Sequence, residues 1–115
     1  MTSQPDARVV ELQLTLPSAP KPLAIYRPCL RVGNLLYVSG HGPLKPDGTL
    51  MTGVVGAGLS LDEGKAAARQ VALAVLATVQ SHLGTLNTVK RLVKSLGWVA
   101  SANGFTDQPK VMNGW

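Results

Sequence analysis

Hydrophobic positions divide the chain into segments of two different periods. Ala7 to Leu16 carries Val9, Val10, Leu12, Leu14 and Leu16 among polar residues, a β-rich pattern that predicts a strand. Pro17, Pro20 and Pro22 then break regular structure. Cys29–Val32 and Leu35–Ser39 flank Gly33-Asn34, a pair that tolerates positive φ, and together they predict a β-hairpin. Pro46-Asp47-Gly48 predicts a further turn, with proline pre-setting φ and glycine taking the strained position. From Ser60 the period changes. Ser60-Leu61-Asp62-Glu63 has the form of a capping box, and Asp62 and Glu63 suit the positive end of a helix dipole. Ala68, Ala72, Val75, Val79 and Leu83 recur every three or four residues, and Gly84 supplies a left-handed stop. The spacing predicts a helix over 61–83, about six turns long. Val89–Ala100, rich in Val and Leu and containing Trp98, predicts a long strand, and Asp107-Gln108-Pro109 predicts the start of a second helix.

The order strand, hairpin, long helix, strand, incipient helix predicts an α+β domain: a mixed sheet with helices packed on one face. One domain over residues 1–115, with residues 1–6 as a loose tail, fits the length. One helix leaves part of the sheet face bare, so an interface or further sequence is expected there. The second helix begins only six residues before the end of the chain.

Composition narrows the partners. Hydrophobic residues make up 45% of the chain and charged residues 15%, as in a globular protein, and aromatics only 4%, so Leu, Val and Ala must fill the core. Eleven Lys and Arg against six Asp and Glu give a formal charge of +5, which favours acidic partners. The bases are scattered and no RNP-type aromatic motif or arginine-rich arm is present, which argues against nucleic acid as the main partner. Residues 1–6 lack the basic and apolar regions of a signal peptide, and the longest helical apolar stretch falls far short of the ~20 residues that span a bilayer. Cys29 is the only cysteine, which suits a reducing compartment, and the cytoplasm is the expected location.

Chemistry-bearing residues are few. Cys29 has no base placed beside it by any signature and reads as a buried hydrophobe. His41 follows a strand end and could line a pocket, although a structural role is favoured; His82 lies where a helix C-terminus suits a cation. Two histidines and one cysteine without an acidic cluster give a metal site little support. The glycines of Gly53-Val54-Val55-Gly56-Ala57-Gly58 match neither a dinucleotide fingerprint nor a P-loop and read as a bulged backbone leading into the helix cap. Ser39-Gly40, at a strand end before a glycine-rich turn, could present backbone N–H groups to a carboxylate or oxyanion, or could simply end the strand.

Taken together, these residues resemble the RidA family (reactive intermediate deaminase A, also called YjgF or endoribonuclease L-PSP). Tyr26 stands seven residues before Gly33-Asn34, and Leu35-Leu36-Tyr37-Val38-Ser39-Gly40 follows, as in the family's tyrosine and G-N-x-[LIV]-[FY]-[VT]-S-G run. The Gly53–Gly58 stretch, the helix from Ser60 with Ala66–Ala68, Gly84, the Val89–Val99 segment, Phe105 and Val111-Met112-Asn113 follow in family order. The resemblance implies a chorismate-mutase-like fold and a homotrimer with a ligand cleft between subunits. It implies hydrolysis of enamine or imine intermediates to 2-oxo acids and ammonia, with no cofactor. Residue by residue, it implies a catalytic Tyr26, ligand contacts at Ser39 and Gly40, and a cleft-lining Asn113. Two departures stand out. Arg27-Pro28 replaces the family's usual Ser-Gln, and the family's carboxylate-binding arginine and water-orienting glutamate have no counterpart here, since both would lie beyond Trp115. A non-catalytic module that binds small carboxylates is therefore an alternative expectation, and ribonuclease or translation-inhibitor activity a third.

Overall fold

The computed structural model describes residues 4–115. Its spine is the predicted long helix. This helix spans Leu61–Leu83 and is the second in the chain (α2). Its capping box forms as the sequence requires: the Glu63 N–H donates to Ser60 Oγ at 3.1 Å and the Ser60 N–H to Glu63 Oε1 at 3.1 Å. Gly84 ends it at φ +80°, its N–H donating to the Gln80 carbonyl at 2.7 Å. The buried face is rotated from the predicted stripe. Gly64, Leu73, Ala74, Ala77, Thr78 and Val79 are buried, whereas Ala68, Ala72, Val75 and Leu83 are only half-buried. Small apolar residues nearly surround this helix, so the periodicity alone does not choose the face.

The hairpin forms from β1 (Cys29–Val32) and β2 (Leu35–Val38), antiparallel, with Cys29 opposite Val38 and Val32 opposite Leu35. Only Gly33 has positive φ, at +59°; Asn34 does not share it, so glycine at the first turn position sets the connection. This register puts Cys29, Arg31, Leu36 and Val38 on one face and Leu30, Val32, Leu35 and Tyr37 on the other. Cys29 is buried on the first; all four residues of the second are exposed. The Pro46-Asp47-Gly48 turn also forms: Leu44 bridges Leu50, and the Asp47 carboxylate accepts from the Thr49 N–H at 2.9 Å and its hydroxyl at 2.6 Å.

The glycine-rich stretch folds as two two-residue strands, β3 (Val54–Val55) and β4 (Gly58–Leu59), paired around Gly56-Ala57 and leading into the Ser60 cap. A helix over Gln108–Met112 (α3) carries Pro109 in its first turn, as predicted, and buries Val111 against α2. Gly64 permits this packing. A Cβ there would lie 2.9 Å from Val55 Cγ2 and 3.3 Å from Val111 Cγ2. The core is accordingly small: Cys29, Val55, Leu73, Ala74, Ala77, Val79, Leu86 and Val111 are its buried apolar residues.

Two predicted strands take other forms. The segment expected as a strand over Ala7–Leu16 begins as a helix, α1 (Pro5–Glu11), with Pro5 in its first turn. It ends in a Schellman arrangement: the Leu14 N–H donates to the Val9 carbonyl and the Gln13 N–H to the Val10 carbonyl, both at 3.0 Å, with Gln13 at φ +54°. Helical geometry is fixed here from outside. The Asp6 carboxylate accepts from the Thr85 hydroxyl and, at 2.9 Å, from the Leu86 N–H; the Asp6 N–H donates to Asn87 Oδ1 at 2.9 Å. Pro5 and Asp6, expected in the loose tail, thus belong to α1; residues 1–3 of that tail lie outside the described residues. The Val89–Ala100 segment forms no strand. Its pairing comes only at its far end, where the Val55 N–H donates to the Ala100 carbonyl at 2.8 Å and the Ala102 N–H to the Val55 carbonyl at 2.9 Å. A strand is defined by its ladder, and no strand among the described residues pairs along the rest of the segment.

The α+β class with helices against small sheets matches the expected chorismate-mutase-like fold. No helix among the described residues is long and apolar enough to cross a membrane.

Candidate functional site

Proline chemistry shapes the end of the hairpin. Beyond β1 and β2, Ser39 faces Pro28, and its N–H donates to the Pro28 carbonyl at 2.9 Å. A reciprocal bond would need a proline N–H, which does not exist. The Ser39 carbonyl is therefore available to another donor, and His41 Nδ1 fills the position at 2.7 Å. A carbonyl only accepts, so Nδ1 carries the proton. In the neutral ring Nε2 then accepts from the Thr78 hydroxyl, 2.7 Å away and buried on α2. His41 thus pins the strand end to the helix. The sequence predicted a structural His41 with a possible pocket role; Thr78, the polar residue on an otherwise apolar face, was the signal for its partner.

The Ser39 hydroxyl donates to the Arg27 carbonyl at 2.6 Å. This one bond ties the loop before β1 to the end of β2. It also fixes polarity: with its proton committed, Ser39 Oγ offers only lone pairs to a ligand. The neighbouring Gly40 presents a backbone donor at the same strand end. No acceptor among the described residues meets the Gly40 N–H, and the space where a Gly40 Cβ would stand is open.

Tyr26 reaches the same place through a tight turn in which its N–H donates to the Ala24 carbonyl at 3.0 Å. Tyr26, Arg27, Cys29, Leu30, Tyr37, Val38 and Ser39 line one cleft of about 280 Å³. Two of the expected site residues, Tyr26 and Ser39, therefore share a cleft, with Gly40 adjoining it. Asn113 does not line it. That residue caps the C-terminal end of α3 and is exposed there.

The cleft is apolar apart from the two phenols, the Ser39 oxygen and Arg27. Cys29 is buried, and burial pushes its thiol above the ordinary range, so it is neither a thiolate nor a ready nucleophile. Arg27 is the only charged residue lining the cleft, and its guanidinium has no acidic partner among the described residues. Its presence in the sequence registered only as a departure from the resembled pattern. The contact that brings the loop to the strand end is not a local sequence feature.

Comparisons with known proteins agree with this frame. The family model for endoribonuclease L-PSP matches residues 16–115. Protein TCP17 of Trypanosoma cruzi is 43% identical over 108 residues, which are 94% of this chain and 68% of that protein. The crystal structure of Atu1372 from Agrobacterium tumefaciens, a protein of unknown function, superposes with a TM-score of 0.82 at 39% identity, covering 94% of this chain and 66% of the other. A structure from Shewanella oneidensis described as a candidate endoribonuclease superposes with a TM-score of 0.85 at 28% identity, over 97% and 74% of the two chains. With a family model matched across the hairpin, α2 and α3, and a relative this similar over 94% of this chain, the chain belongs to the endoribonuclease L-PSP family, also known as the YjgF/RidA family.

Proposed function

We propose that this protein is an imine and enamine deaminase that hydrolyses reactive 2-imino acids to 2-oxo acids and ammonia. The observation that carries the reading is the meeting of Tyr26 with Ser39, next to Gly40, in one small, largely apolar cleft. In the reaction, water adds to the imine carbon to give a carbinolamine. A proton moves from the added oxygen to nitrogen, the C–N bond breaks, and ammonia leaves a 2-oxo acid. Every step is an addition, a proton transfer or the elimination of ammonia, so no redox partner is needed. The Tyr26 hydroxyl, both donor and acceptor, carries the proton. Ser39 Oγ accepts from the imine N–H, and the Gly40 N–H donates to ligand oxygen.

Assembly belongs to the same proposal: a homotrimer whose clefts lie between subunits, with Asn113 reaching the cleft across an interface. Two features support it. The outer hairpin face of Leu30, Val32, Leu35 and Tyr37 is apolar and exposed. The chain also exposes 8286 Å² of surface, against about 6000 Å² for a compact monomer of its mass. A cytoplasmic setting suits its free cysteine.

The test is ammonia release from 2-iminobutanoate generated in situ. The wild type accelerates it, and Tyr26→Phe lowers the rate by about a hundredfold or more. A folded, assembled wild type with no acceleration over background would overturn deamination; retention of 2-oxo acid binding would then favour the non-catalytic carboxylate-binding module. The family description and the net charge of +5 favour one other reading, cleavage of RNA. It requires RNA binding that weakens steeply with salt.

A further inference from the structure

We infer that His41 is a positioning residue: held by Thr78 of α2, it fixes and polarises the peptide whose other edge is the Gly40 N–H. This rests on the proposed function for the ligand that the N–H meets, but its own argument lies in hydrogen bonds within the protein. Pro28 stands opposite Ser39 and has no N–H, so the Ser39 carbonyl lacks the donor that a paired strand would supply. His41, two residues on, supplies it instead, with Nδ1 2.7 Å from the carbonyl oxygen. The far side of the ring is held as well, since Nε2 lies 2.7 Å from the hydroxyl of the buried Thr78. A flat ring bonded at both nitrogens cannot turn without breaking one of the two bonds.

The effect falls on the next donor along the chain. The Ser39 carbonyl and the Gly40 N–H belong to one planar trans peptide, so they point in opposite directions. Fixing the carbonyl against the imidazole therefore aims the Gly40 N–H away from the ring. No acceptor among the described residues meets that N–H, and the space where a Gly40 Cβ would stand is open. A hydrogen bond accepted at the carbonyl also draws electron density from the nitrogen of the same peptide, which makes its N–H a stronger donor. Helix α2 thus sets the direction of a donor for ligand oxygen through two bonds, and His41 does so without touching the ligand.

The experiment is nitrogen-15 NMR of the full chain, with and without 2-oxobutanoate, run beside ammonia release from 2-iminobutanoate. Wild type is compared with His41→Phe, which keeps a ring and removes both nitrogens, with His41→Asn, which restores an N–H at the place of Nδ1, and with Thr78→Val. In the wild type at a pH where the ring is neutral, Nδ1 should carry the proton. The Gly40 nitrogen should move upfield in His41→Phe and return most of the way in His41→Asn. Binding of 2-oxobutanoate should weaken by about tenfold in His41→Phe, recover in His41→Asn and fall between them in Thr78→Val. Dispersed amide spectra establish that each variant folds, and the wild-type tautomer tests the inference without any variant. A neutral ring protonated on Nε2 overturns it, as does a Gly40 nitrogen that His41→Asn displaces as far as His41→Phe does. If these signatures hold while ammonia release is absent, deamination fails and the relay stands; if His41→Phe releases ammonia with wild-type KM and kcat, the relay fails and deamination stands.

Discussion

Helix α2 and the segment from Val89 to Trp98 carry equally clear hydrophobic signals, and they meet opposite fates. Along α2, Leu73, Ala74, Ala77 and Val79 are buried. Along the segment, Leu92, Val93, Leu96 and Trp98 are between 67% and 87% exposed. The difference lies in where each element finds its hydrogen bonds. A helix closes its own, four residues apart, and needs a neighbour only for its apolar face. A strand closes none by itself. The hairpin shows the intermediate case: β1 and β2 satisfy each other, so they form, yet the face carrying Leu30 and Tyr37 stays exposed. Local bonding decides what forms; non-local packing decides what is covered.

The contrast predicts where substitution hurts. Gly64→Val should have the largest effect. Its side chain would collide with Val55 and Val111, the two residues through which β3 and α3 reach the first turns of α2. Overpacking at such a site costs about 3 kcal/mol. Urea unfolding should show a lower midpoint with the slope retained. A Gly64→Val chain as stable as wild type would mean that the three elements do not pack as described.

The same contrast explains what the sequence disclosed. Features written within four residues came through: the Ser60–Glu63 box, the Gly84 stop, the Gly33 turn, the Asp47 turn and Pro109 at the start of α3. Features that depend on distant residues did not. Helix α1 was hidden because its valines, with the leucines that follow it, suit a strand, and because its left-handed closing residue is Gln13 rather than glycine. Its anchor, Asp6, finds partners about eighty residues away. The buried face of α2 was ambiguous for the same reason, since several faces carry Ala or Val and only the neighbours choose among them. At the site, Tyr26, Ser39 and Gly40 were legible through the resemblance and the strand end. The bond from the Ser39 hydroxyl to the Arg27 carbonyl was not, since it spans twelve positions.

That distant anchor gives the next prediction, smaller than the first. The Thr85 hydroxyl and the Leu86 N–H both donate to the Asp6 carboxylate and hold it below its ordinary value of 3.8. Hydrogen bonding favours the charged form, so the contribution to stability is complete above that ordinary value. It is lost as pH falls through the lower, folded value. Asp6→Asn should therefore reduce stability at neutral pH and flatten the acid limb of the stability profile. The thermal midpoint followed from neutral pH to about pH 2 checks this. Asp47 is lowered in the same sense by Thr49, so Asp47→Asn serves as the local control. An acid limb unchanged by Asp6→Asn would detach α1 from the end of α2.

Trp98→Ala should have the smallest effect, and it probes the uncovered side directly. At 87% exposure the indole gives up little contact when removed. The expected change in a dilute, monomeric chain lies within about 0.5 kcal/mol. Concentration sharpens the point. Association of copies stabilises the folded state by mass action, so a face covered by a second copy makes the wild-type midpoint rise with protein concentration. If Trp98 lies on that face, the variant will lose the rise while keeping the dilute midpoint. Sedimentation velocity run beside the melts identifies the species present at each concentration. A large loss at the lowest concentration would place Trp98 inside its own chain's core and break the contrast with α2. Equal dilute midpoints, diverging as the wild type assembles, would make the Val89–Trp98 segment a surface that only a neighbouring chain completes.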